Sequence, residues 1–121
     1  MLVAEHVALQ VVHGLRDVVP LVERADKDLG RQIRRAGSSV VLNVAEGARR
    51  MGKDRTHLYR VAAGSAAEVR AALLVAMAWG YVDEARCEEV LALLDRELRL
   101  LWGLTERKSP PSKRAAASAM R

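Results

Sequence analysis

Residues 32–50 read QIRRAGSSVVLNVAEGARR, and the spacing inside this stretch decides the fold. Ile33, Gly37, Val40, Val41 and Val44 recur at the short helical steps that stack side chains on one side of an α-helix. Arg35, Ser39, Asn43, Glu46 and Arg50 recur in the same way along another side. One stripe is apolar and the other polar, so a helix is expected here with one face in a core and a second face open to solvent or a partner.

Upstream, Val7, Val11, Leu15, Val18 and Val22 predict a first helix. Pro20 has no amide hydrogen and its ring collides with the preceding turn, so that helix is expected to end or kink near 18–19. The Asp26, Lys27, Asp28 run offers side-chain oxygens as caps, placing the start of the second helix near Asp28. Downstream, Met51, Gly52, Lys53 and Asp54 break the pattern, with Asp54 placed to cap a third helix over about 55–79. Leu58, Ala62, Ser65, Val69, Ala72 and Ala76 give that helix a small-residue side suited to close packing. Gly64 costs it up to ~1 kcal/mol relative to alanine, a cost that something should offset. Gly80 ends it, and Asp83 is placed to cap a fourth helix, in which Cys87, Leu91, Leu94, Leu98 and Leu101 repeat with heptad spacing to about residue 106. The segment KSPPSKRAAASAMR, from Lys108 onward, holds nothing with which to build a core and reads as a disordered basic tail. The expected fold is all-α, an antiparallel up-and-down four-helix bundle over residues 1–107 followed by the tail 108–121.

Composition agrees. The chain has 121 residues, half of them hydrophobic, with no phenylalanine, which suits one helical domain. One cysteine, Cys87, cannot form an internal bridge, and no signal-peptide pattern opens the chain, so a reducing, cytoplasmic setting is expected. The apolar runs read as broken by charge short of the ~20 residues of a bilayer span, so no membrane association is expected.

The net charge of +5 is unevenly spread. Residues 31–60 hold eight cations, Arg31, Arg34, Arg35, Arg49, Arg50, Lys53, Arg55 and Arg60, against Glu46 and Asp54 alone. Residues 1–30 and 83–107 are net acidic. A single charged run is ordinarily a solvated face, but this asymmetry makes the eight cations a candidate nucleic-acid surface, with phosphate the expected contact. No aromatic residues interleave to stack single-stranded bases, so the binding expected is shape-tolerant and salt-sensitive. Helices 2 and 3 are also longer than a helix-turn-helix reader needs.

Other constellations are weaker. GARRMGK, residues 47–53, matches the opening of a phosphate-binding P-loop, but Asp54 stands where Ser or Thr would hold magnesium and a helix precedes it in place of a strand. His6, His13 and His57 lack metal-ligand spacing, so no metal or cofactor is expected. Glu46 and Glu68 lie in small or apolar surroundings and need partners, with Arg35, Asn43, Arg50 and Ser65 the candidates. As a pair they suit general acid chemistry in a small hydrolase, provided that they share a pocket; a structural polar network suits them better.

The motif residues carry a resemblance. Gln32, Arg35, Ala36, Ser39 and Val40, then Asn43, Val44, Ala45, Glu46 and Gly47, then Arg50, and finally Ala62, Gly64, Ser65, Glu68, Gly80 and Tyr81 resemble the bacterial four-helix-bundle proteins related to those encoded in intervening sequences of 23S ribosomal RNA. The likeness covers residues 32–82, with helix 4 agreeing in pattern only. It implies an antiparallel four-helix bundle assembled as a ring of five subunits. A related branch of that family serves as accessory subunit of diversity-generating retroelements, where a basic ring contacts a reverse transcriptase and RNA. The resemblance carries over no catalytic residues; its motifs fall on Ser39, Asn43, Glu46, Gly47, Gly64, Ser65 and Glu68. The leading expectation is therefore a non-enzymatic homopentameric scaffold whose basic surface binds structured RNA or other nucleic acid. The alternative is a protein-interaction adaptor whose arginines meet acidic faces of other subunits.

Overall fold

The computed structural model describes residues 1–106. Four helices follow one another: α1 (Val3–Ala25), α2 (Lys27–Ala48), α3 (Gly52–Ala78) and α4 (Glu84–Thr105). Consecutive helices pack together and α1 closes against α4, so the four surround one core in antiparallel order. The tail expected from Lys108 lies outside the described residues.

The periodicities become burial. Val7 is buried, and Val11, Leu15, Val18 and Val22 of α1 join Ile33, Val40 and Val44 of α2 and Ala62, Val69, Ala72 and Ala76 of α3 in a single apolar cluster. Alanine and valine dominate that cluster, which lets the helices approach closely and gain dispersion contact from many small groups. Gly37 and Gly47 mark two such approaches: an added Cβ would lie 2.9 Å from Leu15 Cδ1 and 2.7 Å from the Tyr59 ring, respectively.

Several boundaries differ from expectation. The first helix does not end at Pro20 but runs on to Ala25. Pro20 is exposed, as is Arg16, whose carbonyl it leaves without an amide, so the lost bond falls on the solvent side of the helix. Asp26 caps α2, its Oδ1 accepting from the Leu29 amide at 3.0 Å. Its replacement by alanine should cost about 1 kcal/mol in urea unfolding. Asp83 caps α4 in the same way, through the Arg86 amide at 2.9 Å. Asp54 does not cap α3: that helix begins earlier, after Met51, whose side chain makes no cap, and Asp54 lies within the first turn. Gly64 faces open space, with nothing among the described residues within 4 Å of an added Cβ, so no packing contact there offsets its helix-propensity cost.

Two further differences bear on function. The buried stripe of α4 is Cys87, Val90, Leu94, Glu97 and Leu101, with Leu91 and Leu98 only half-buried on its flank. Glu97 is therefore a core residue, fully buried. Secondly, α3 is long and apolar enough by length and composition to cross a bilayer, contrary to the expectation, yet it is a helix of the bundle, packed against α2 and α4. Only 33% of its most apolar window is buried, and Val61, Leu74, Val75 and Trp79 remain exposed.

Candidate functional site

The polar stripe of α2 meets α3 along one side of the bundle. Ser39 and Ser65 bridge the two helices, hydroxyl to hydroxyl, at 2.8 Å. Asn43, one turn from Ser39, donates through Nδ2 to the Ser39 carbonyl oxygen at 2.9 Å and to its hydroxyl oxygen at 3.0 Å. This three-residue network pins the register of α2 against α3. Beyond it the helices separate into a groove of about 620 Å³ lined by Asp28, Arg31, Gln32, Arg35, Ala36, Ser39, Ser65 and Glu68. The motif residues Gln32, Arg35, Ser39, Ser65 and Glu68, far apart in sequence, thus share one surface.

Glu46 is not part of that groove. It lies farther along α2, where Arg50 holds it, Nε donating to Oε1 at 3.0 Å and Nη2 at 2.8 Å. Glu68 is exposed and makes no ion pair among the described residues. The two carboxylates share no groove and offer no paired acid and base. Gly47 is occupied by packing against Tyr59.

The cations divide into two groups that the linear sum of charge conceals. Arg31, Arg34 and Arg35 lie near the start of α2, while Arg49, Arg50, Lys53, Arg55 and Arg60 gather at the turn into α3, about 20 Å away at the helical rise between residues 35 and 49. Arg34 pairs with Glu23 and Arg60 with Glu106, the latter at 3.5 Å. Arg55 turns inward, Nε to the Gly47 carbonyl and Nη2 to the Ala48 carbonyl, both at 3.3 Å, so it closes the end of α2. Arg49 and Lys53 are exposed and in no ion pair among the described residues. They flank the N-terminus of α3, where the missing side-chain cap leaves backbone amides turned outward and the helix dipole favours an anion.

His6 and His13 line a second groove, between α1 and α4, with Arg16, Asp17, Arg86 and Glu89 around them. No group of three His, Cys, Asp or Glu among the described residues is arranged to hold a metal ion. Cys87 is buried, and burial, with Asp83 adding to it, pushes its thiol pKa up, which suppresses the reactive thiolate. Sequence reasoning missed Glu97: both its oxygens lack a hydrogen-bond partner, and burial pushes its carboxyl up to about 7 against the opposing pull of Arg96. Its signal was available as the one charge in the stripe 87, 90, 94, 97, 101.

A family model described as 23S rRNA-intervening sequence protein matches residues 3–103, well beyond the 32–82 over which the motif likeness was read. Among solved structures, a protein of unknown function from the S23 ribosomal protein family of Bacteroides thetaiotaomicron superposes with a TM-score of 0.78. The pair share 17% identity over 85% of this chain and 98% of that one, so the likeness speaks for the fold. No curated protein matches the chain.

Proposed function

The chain belongs to the 23S rRNA-intervening sequence protein family, and from that membership we propose that it is a non-enzymatic scaffold, a homopentameric ring whose basic end engages structured RNA. The observation that carries the nucleic-acid part is the pairing of two uncommitted cations, Arg49 and Lys53, with the outward amides at the start of α3. Phosphate is the group that such an arrangement recognises, without regard to base sequence. Self-association is supported by the outer face of α3, where Val61, Leu74 and Val75 are exposed, as is Trp79 just past its end, and Gly64 is open.

Binding of a generic structured RNA should weaken roughly 20- to 40-fold between 50 and 200 mM salt if about three phosphates are neutralised. Changing Arg49 and Lys53 together to alanine should lower the salt slope by about two contacts, while Arg55→Ala acts mainly on stability because its guanidinium is spent on α2. Absence of binding at low salt, or binding indifferent to the Arg49 and Lys53 changes, defeats the reading. Light scattering tests the ring separately: a monomer at micromolar concentration rules it out.

One observation favours the adaptor as a second reading. Arg34, Arg50 and Arg60 already meet carboxylates of this chain, whereas Glu84, Glu88 and Glu89 at the start of α4 are exposed and in no ion pair among the described residues. Assembly that dissolves in high salt, in a protein that binds no RNA, would select it.

A further inference from the structure

The groove between α2 and α3 holds charges of both signs that do not neutralise one another. Arg31 and Arg35 stand one helical turn apart on α2, with Asp28 at the same helix's start and Glu68 on the α3 wall. None of the four is in an ion pair among the described residues. Because α2 and α3 run antiparallel through the Ser39 and Ser65 contact, Arg35, one turn before Ser39, faces the level of Glu68, nearly one turn after Ser65. The floor is polar too. Ser39 and Ser65 hold each other hydroxyl to hydroxyl at 2.8 Å, and Ser39 also accepts from Asn43, which leaves Ser65 with hydrogen-bonding capacity for the groove.

We propose that this groove is a ligand site for a ribose phosphate, the phosphate held by Arg31 and Arg35 and the ribose hydroxyls by Glu68 and Ser65. Two guanidiniums a turn apart present the forked donors that phosphate oxygens accept, and a carboxylate on the facing wall accepts from a cis-diol. The volume of about 620 Å³ is of small-molecule size, and Ala36 is the one apolar side chain in the lining, so the site selects sugar and phosphate rather than an apolar ring. The site lies on a different part of α2 from Arg49 and Lys53, so it does not depend on RNA docking at the basic end.

Isothermal titration of the whole chain with adenosine 5′-monophosphate, its 2′-deoxy analogue, ribose 5-phosphate and inorganic phosphate tests this. The two ribose phosphates should bind, the deoxy analogue more weakly. Arg35→Ala should weaken binding by about tenfold or more, the cost of losing a hydrogen bond to a charged group. Glu68→Gln should shrink the preference for ribose over deoxyribose, and Arg99→Ala, on exposed α4 surface, should change neither. No binding by any of the four, equal binding of inorganic phosphate and the nucleotide, or indifference to Arg35→Ala overturns the proposal. A 5′-phosphorylated oligoribonucleotide that binds more tightly than the mononucleotide identifies an RNA end as the source of the ribose phosphate. The reverse identifies a free nucleotide, and both support the site. Nucleotide binding retained when RNA binding is lost leaves the site standing; the opposite result removes the site alone.

Discussion

Glu97→Leu should stabilise the bundle at pH 8 by about 3 kcal/mol and flatten its dependence on pH. The carboxyl sits between Leu94 and Leu101 on the buried stripe of α4, with neither oxygen hydrogen-bonded. It is the one buried charged side chain among the described residues, and the buried faces of α1, α2 and α3 add no titratable group except Tyr59. Burial raises its folded pKa from an ordinary 4.5 to about 7. A carboxyl with a raised folded pKa favours the folded state while it is protonated. Its contribution is thus fully present below pH 4.5, falls as pH rises toward 7 and is gone above that. At 1.36 kcal/mol for each pKa unit, that window amounts to about 3 kcal/mol. Urea midpoints at pH 5 and pH 8 should therefore differ in the wild-type chain and coincide in the leucine variant. Glu97→Gln should also be flat with pH but less stable than leucine, because its amide stays buried and unpartnered. A wild-type midpoint that does not fall between the two pH values would sink the account.

Gly30→Ala should destabilise the chain by about 1–3 kcal/mol, against the direction that helix propensity alone would give. Gly30 is in the first turns of α2, where α1 and α2 lie closest across the one-residue link at Asp26. A Cβ there would come within 2.8 Å of the Glu23 backbone nitrogen and Cα, and nearer still to its Cγ. The Cγ can rotate away; the backbone of α1 cannot retreat without lifting the Val19 and Val22 contacts with it. Gly64→Ala is the control, since the same methyl meets open space and should stabilise the monomer by about 0.5–1 kcal/mol. Thermal unfolding of the pair decides it: equal shifts would mean that propensity rather than space governs Gly30.

The bundle was legible because α1 and α2 each carry a regular apolar stripe, and Val7, Val11, Leu15, Ile33, Val40 and Val44 are all buried as their spacing requires. α4 was harder to read. Leucines at 91 and 98 offered a tidy heptad, and choosing them turned the helix enough to put Glu97 outside the core, when the core stripe passes through Val90 and Glu97. Periodicity rewards apolar letters, so it cannot find a charge that the fold has buried. Arg50 was readable as a partner for Glu46 because the two share one helix, where spacing alone fixes contact, whereas Asn43 turns to Ser39 on the same stripe. The partnership of Ser39 with Ser65, and the groove that follows from it, depend on how α3 folds back on α2, which no local pattern records. Charge was the least legible quantity. Summing residues 31–60 merged two sites separated by most of a helix, and it counted as available three arginines that the fold had paired and a fourth that it had turned onto carbonyls.

Cys87 is the sole thiol in the sequence and has no exposed surface. An aromatic disulfide reagent therefore reaches it only when α4 leaves the bundle, and the rate of colour release counts those departures. Comparing that rate in urea with the loss of helical signal separates escape of α4 alone from collapse of the whole domain, so the protein carries its own clock for subglobal opening.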